Sequence, residues 1–195
     1  VYPIIKVISD ISKFDYEELK VVLHIITDDI ESFRQFLGCY SSHLEIKFHS
    51  EFGGDELRMF LSSNSDLHIG MGTSCLEGSA LGIPTILIDT SYKEFPQHYR
   101  YRWVFESDSF NLGELFDEFP PVFNGRQFSE ILELYLMADS KEIQSISEKC
   151  YEYTKQYHDI HKVGQDFINL CAKSCMRIRD VLYTDLSYYL KETLL

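Results

Sequence analysis

No apolar run in this chain approaches the roughly 20 residues that a membrane-spanning helix needs. No basic leader followed by an apolar stretch opens it either. Positive charge is scarce: 18 Lys and Arg stand against 31 Asp and Glu, for a net charge of −13. Such a chain repels phosphate backbones at long range, so nucleic acid is not an expected partner. A small anion held locally by backbone N–H groups remains open to it. The five cysteines lack a paired spacing pattern, which fits a reducing cytosol better than a disulfide framework. Neither Gly-x-Gly-x-x-Gly nor a P-loop occurs. Zinc spacings are missing too: His158-x-x-His161 and Cys171-x-x-x-Cys175 match no common pattern.

What is present suits a globular chain. Of the 195 residues, 45% are apolar and 14% aromatic, enough to bury a core. Pro3 to Ser9 is β-branched and short, and predicts a first strand. Lys20 to Thr27 is a near-continuous apolar run, the pattern of a strand covered on both faces. Thr27 to Asp29 offer caps for a helix to about Leu37, ended by Gly38. Leu44 to His49 alternates as a strand, and Asp55 to Ser62 reads as a helix. Tyr101 to Glu106 predicts a sixth strand. Pro120-Pro121 punctuates a loop-rich stretch, and from Gln127 onward the spacing is helical, with Asp139 as a cap and Gly164 as a break.

The stretch from Asp66 to Asp89 organises the rest. It reads as one βαβ unit: strand Asp66–Gly70, a turn at Gly70, Gly72, Thr73 and Ser74, helix Cys75–Leu81, a stop at Gly82 and Pro84, and strand Thr85–Ile88. Glycines let backbone approach a ligand closely. Hydroxyls and a helix start add donors and partial positive charge. Together they suit a diphosphate, and Glu77 one turn further on suits a vicinal ribose diol. The same residues have a purely structural reading, because Ser74-x-x-Glu77 is a capping box. Both readings stand on these residues alone.

Strands alternating with helices predict an α/β, doubly wound parallel sheet of about six strands with right-handed crossovers and a C-terminal helical extension. One domain is expected over 1–195, with the sheet core in 1–110 and mostly helix in 111–195. Ligands in such sheets bind beyond the carboxyl ends of the strands. Of the remaining candidates, His98, Arg100 and Arg102 cluster positive charge but suit a solvated edge. His24 suits a sheet interior, His49 and His68 have no assigned proton-transfer partner, and the tyrosines at 151, 153, 157, 188 and 189 suit packing.

The run Asp66-Leu-His-Ile-Gly-Met-Gly-Thr-Ser-Cys-Leu-Glu-Gly-Ser-Ala-Leu-Gly-Ile-Pro-Thr85 resembles the nucleotide-sugar-binding core of GT-B glycosyltransferases, where a "Gly-Thr-Ser … Glu-Ala … Gly-x-Pro" run follows a strand of the C-terminal Rossmann-like domain. Phe52-Gly53-Gly54 and Asp55-Glu56-Leu57 are similar to the loop and helix before that core. The resemblance covers roughly Pro3 to Asp89. It implies that Gly70, Gly72, Thr73 and Ser74 hold the donor diphosphate and Glu77 the ribose. It places Glu51 and Phe52 beside the base, and lets Lys13 reach the diphosphate from the first loop. Many retaining members carry a second Glu eight residues before the ribose Glu, where this chain has Ile69. The Arg that often precedes the first-loop Lys is replaced by Asp10-Ile11-Ser12. The two-Glu retaining subclass is therefore not implied.

GT-B enzymes use two Rossmann-like domains. This chain has room for one and begins at Val1, so it is expected to be the donor-binding half of a longer protein. The implied activity is glycosyl transfer from a nucleoside-diphosphate sugar, a substrate rather than a cofactor. The acceptor saccharide or lipid-linked glycan would sit against an N-terminal Rossmann-like domain of the same protein. No catalytic residue and no metal ligand is assigned. The expected location is the cytoplasm or the inner face of a membrane. The rival readings are a non-catalytic regulatory or assembly module, and half of a sugar-nucleotide epimerase.

Overall fold

The computed structural model describes residues 2–13, 20–34, 43–116 and 125–173. In chain order the elements are α1 (Tyr2–Ser12), β1 (Val21–Ile26), α2 (Ile30–Arg34), β2 (Leu44–His49), α3 (Gly54–Asn64), β3 (His68–Gly70), α4 (Ser74–Ser79), β4 (Thr85–Leu87), β5 (Arg102–Trp103), a 3₁₀ turn (Val104–Glu106), α5 (Phe128–Met137), α6 (Ser140–Tyr157) and α7 (Ile160–Lys173). The chain is mixed α/β. Its described strands form two sheets, of order β1-β2 and β3-β4-β5, rather than one sheet of six strands. It divides into two compact units, Val1–Tyr157 and His158–Leu195, and α7 belongs to the second.

The first expected strand is a helix. Pro3 to Ser9 lies inside α1, because Ile4, Val7, Ile8 and Ile11 recur at three and four residues and put an apolar stripe on one face. Burial of Val7, Ile8 and Ile11 outweighs the β-branched preference for a strand. Pro3 sits in the first turn, where its missing N–H costs nothing. Lys6 and Asp10, one turn apart, close an ion pair at 2.5 Å.

β1 and β2 pair in parallel from Val21↔Leu44 to Ile26↔His49. The alternation puts His24 with Lys47 and His49 on one face, and Leu23, Ile25, Ile46 and Phe48 on the other. α2 covers the second face through Phe33 on Phe48, with ring centroids 6.4 Å apart. α3 covers the first through Phe60, 5.2 Å from His24 and 4.8 Å from His49. The expected extension of α2 to Leu37 and its stop at Gly38 lie outside the described residues.

β3 and β4 are parallel, and β5 runs antiparallel to β4. The expected sixth strand shrinks to Arg102–Trp103. Glu106 turns its carboxylate back onto the Trp103 N–H at 2.9 Å and coils Val104–Glu106 into a 3₁₀ turn. Thr85, Ile86 and Leu87 are fully buried, against α6 on one side. There Cys150 Sγ accepts the Thr85 N–H at 3.4 Å, and Ser79 and Thr154 share a hydroxyl hydrogen bond at 2.7 Å.

Between Phe128 and Lys173 the described residues are almost all helical, as their spacing predicts. Asp139 Oδ1 accepts the Lys141 and Glu142 N–H groups, both at 2.9 Å, and starts α6. Gly164 does not break the last helix; it lies inside α7, where a glycine costs about 1 kcal/mol and is tolerated. The break falls at His158 and Asp159 instead, and Asp159 caps α7 through the His161 N–H at 2.8 Å. Pro120-Pro121, Cys175, and Tyr188-Tyr189 lie outside the described residues. Among the described residues no helix is long and apolar enough to cross a membrane.

Candidate functional site

The glycine turn between β3 and α4 is tight because two of its contacts leave no space. A Cβ on Gly70 would lie 2.6 Å from the backbone N and Cα of Cys75. A Cβ on Gly78 would lie 2.4 Å from the His68 ring. Gly72 is different: its φ is +55° and nothing lies within 4 Å of its missing side chain. Gly70 and Gly78 are thus required by packing, and Gly72 by backbone conformation. Gly72→Ala is expected to cost about 1–2 kcal/mol, the penalty for an L-residue in the left-handed region. Gly72→Asn costs less, and urea melts of the two variants check the ranking.

The N–H groups at this helix start are mostly used internally. Met71 donates to Ser74 Oγ at 3.0 Å, and Gly72 donates to the Leu112 carbonyl at 2.9 Å. Ser74, Cys75 and Leu76 donate to the carbonyls of Met71, Gly72 and Thr73. That leaves the Thr73 N–H as the one in 71–76 with no partner among the described residues. The cradle of several free N–H groups expected from the sequence is therefore reduced to one. The capping box is not formed either. Thr73 occupies the N-cap without a side-chain bond, and Ser74 Oγ instead donates to the Met71 carbonyl at 2.7 Å while accepting its N–H. Ser74→Ala removes both bonds and is expected to cost about 1 kcal/mol, read as a lowered thermal midpoint.

Glu77 is exposed, and its carboxylate enters no hydrogen bond or ion pair among the described residues. His68 Nε2 donates to the Ser74 carbonyl at 2.9 Å. Burial lowers the His68 pKa; the Ser74 carbonyl and the Glu77 charge oppose it. Cys75 is fully buried, donates to the Gly72 carbonyl at 3.0 Å, and burial pushes its thiol up to about 12. It is no nucleophile at neutral pH.

The other expected site residues are scattered. Glu51 is exposed in the loop after β2. Phe52 stacks on Phe60 at 4.8 Å and lies 5.7 Å from His49, in an aromatic cluster beneath α3. Lys13 pairs with Asp10 at 3.4 Å, and among the described residues no contact brings it to the glycine turn. A cavity of about 480 Å³ reaches Gly70, Met71, Ser74 and Glu77 and continues along β1, but it includes neither Glu51, Phe52, Thr73 nor Lys13. The basic cluster does not gather: Arg100 donates to the Gly125 carbonyl at 3.0 Å, and Arg102 is buried elsewhere.

That burial marks what the sequence reasoning missed. At the carboxyl end of β4, Asp89 is 1% exposed and pairs with Arg102 at 3.0 Å. It also accepts the Tyr99 hydroxyl at 2.9 Å and the Glu114 N–H at 3.0 Å. The loop held in this way turns at Gly113, whose φ is +102°, and presents the Leu112 carbonyl to Gly72. The polar residue ending the apolar run Thr85 to Asp89 was the available signal.

His24 Nδ1 and His49 Nε2 share a hydrogen bond at 2.8 Å across β1 and β2. Burial lowers the His24 pKa, and the charges of His49 and Lys47 add to this while Glu45 opposes it. Since the folded chain binds this proton less well than the unfolded chain, stability falls as pH drops below about 6.5. His68 acts with the same sign. The midpoint of urea unfolding is expected to be lower at pH 5.5 than at pH 7.5, and His24→Gln to remove part of that difference.

No family model, no curated protein and no solved structure matches the chain.

Proposed function

We propose that the chain is the donor-binding part of a GT-B type glycosyltransferase, with a Rossmann-like arrangement that holds a nucleoside-diphosphate sugar. One observation carries the reading. Glu77, an exposed carboxylate without a hydrogen bond or ion pair, stands one turn beyond a positive-φ glycine at the carboxyl end of a parallel strand. A carboxylate there accepts two hydrogen bonds from a ribose diol. The diphosphate would lie over Gly72 and Thr73, taking the Thr73 N–H and hydroxyl and, once it turns from the Met71 carbonyl, the Ser74 hydroxyl, with Gly70 setting the turn. Glu51 and Phe52 would flank the base and Lys13 would approach the phosphates after a shift from Asp10. Transfer itself needs an acceptor saccharide or lipid-linked glycan and a base, both brought by a second domain at the cytoplasmic face of a membrane.

A second reading is favoured by the turn's own hydrogen bonds. Five of the six N–H groups in 71–76 are used internally, as in a helix start that binds nothing. On that reading the chain is a non-catalytic assembly module. Glu77→Gln separates the two. The donor-binding reading predicts about a tenfold loss of UDP or GDP affinity, near 1.4 kcal/mol, with an unchanged thermal midpoint. The module reading predicts no affinity to lose.

A further inference from the structure

None of the residues of α7 is buried. Every other described helix buries at least one apolar side chain: Ile8 in α1, Phe33 in α2, Leu61 in α3, Cys75 in α4, Ile131 in α5 and Ile146 in α6. In α7, Ile160 is 76% exposed, Phe167 65%, Ile168 61% and Leu170 68%. These side chains are not scattered around the helix. At about 100° per residue, Leu170, Val163, Phe167, Ile160 and Ile168 fall within one arc of about 160°. Lys162, Gln165, Asn169 and Lys173 hold the opposite side.

Charge points to what covers the arc. The chain carries −13 overall, yet residues 160–179 hold Lys162, Lys173, Arg177 and Arg179 against Asp166 alone. α7 is the only described helix with more Lys and Arg than Asp and Glu. An apolar arc on a positive stretch suits a surface with an apolar interior and a negative face, as an acidic lipid leaflet offers. A second copy of the chain fits less well. Ile160, Val163, Phe167 and Leu170 follow a coiled-coil spacing, but its next two positions fall on Ser174 and Arg177. The repeat stops after two heptads, where a coiled coil needs about three or four. Two such positive stretches also repel each other.

We propose that α7 docks the chain on an acidic phospholipid surface. Ile160, Phe167, Ile168 and Leu170 enter the boundary between headgroups and acyl chains, which takes their apolar area out of water. Lys162 and Lys173 stay on the outer side, about one helix diameter or roughly 10 Å from the lipid. That is close to the Debye length at physiological salt, so they act through the field of the leaflet and not by contact. No described helix is long and apolar enough to cross a bilayer, and α7 lies in the plane of the surface. The docking does not rest on the donor-binding reading.

Flotation of the full chain with lipid vesicles tests it. Vesicles of phosphatidylcholine mixed with phosphatidylglycerol are expected to bind about tenfold more chain than phosphatidylcholine alone, and raised salt to release part of it. Phe167→Glu is expected to lose most of the binding at an unchanged thermal midpoint, since Phe167 is exposed. Lys162→Glu with Lys173→Glu is expected to lose the preference for acidic lipid. In Phe167→Trp the added indole emission is expected to shift to the blue on acidic vesicles; the chain's own Trp103 is buried and contributes a constant signal. A folded chain that stays off acidic vesicles overturns the proposal, as does full binding by Phe167→Glu. Equal binding to neutral and acidic vesicles overturns the choice of lipid. Self-association that Phe167→Glu abolishes, without vesicle binding, assigns the face to a second copy and overturns the docking. Should Phe167→Glu not fold, the emission of Phe167→Trp decides, and an unshifted spectrum overturns the docking.

Discussion

Arg102→Leu is expected to be among the most destabilising single changes in the chain. Arg102 is 7% exposed, and its guanidinium is the positive partner of Asp89, itself 1% exposed. Removing one member of a buried pair strands the other charge, at about 3–5 kcal/mol. That is a large share of the 5–15 kcal/mol of an ordinary domain. The Tyr99 hydroxyl and the Glu114 N–H still reach Asp89 but carry no full charge. Asp89→Asn with Arg102→Leu removes both charges and is expected to recover about half of the loss. The second change is therefore stabilising in the background of the first, a sign that a chemical-melt cycle reads directly. Because Asp89 also holds the loop that presents Leu112 to Gly72, exchange of the Gly72 amide should speed up in Asp89→Asn alone.

Gly70→Ala is the other damaging change. Its Cβ would stand 2.6 Å from Cys75 backbone atoms, which belong to a helix start and cannot rotate away. Gly78→Ala meets the His68 ring at 2.4 Å, and that ring is pinned by its bond to the Ser74 carbonyl. Over-packing a tight site costs typically 1–3 kcal/mol. Both variants are expected at or above about 3 kcal/mol. Gly72→Ala, with open space around it, should fall well below them. Equal losses at all three positions, measured by thermal melts, would contradict the division between packing glycines and a conformational one.

Much of the α/β unit was legible because its signals are local. The apolar run 20–27, the alternation 44–49 and the Gly82-x-Pro84 stop each carry their own period or breaker, and each element formed within a few residues of its expected place. α1 was misread because a β-branched run and a three-four spacing coexist in Ile4 to Ile11. Its partner, α5, lies more than a hundred residues on, and packing against it chooses the helix. The division into two sheets was not legible for a similar reason: which strands pair is a long-range matter that no strand's own residues encode. Within the site, Gly70 to Glu77 could be read as a unit since the residues are contiguous. The use of the Gly72 N–H by Leu112, and the Asp89–Arg102 pair beneath, are long-range contacts that no spacing in the sequence encodes.

Titration calorimetry of the folded chain with UDP and with GDP tests the central claim most directly. The donor-binding account predicts saturable heat from one of them with a roughly millimolar dissociation constant, about 4 kcal/mol, weakened about tenfold in Glu77→Gln at an unchanged melting temperature. No heat from either nucleotide at several millimolar, with the chain shown to be folded, would contradict it.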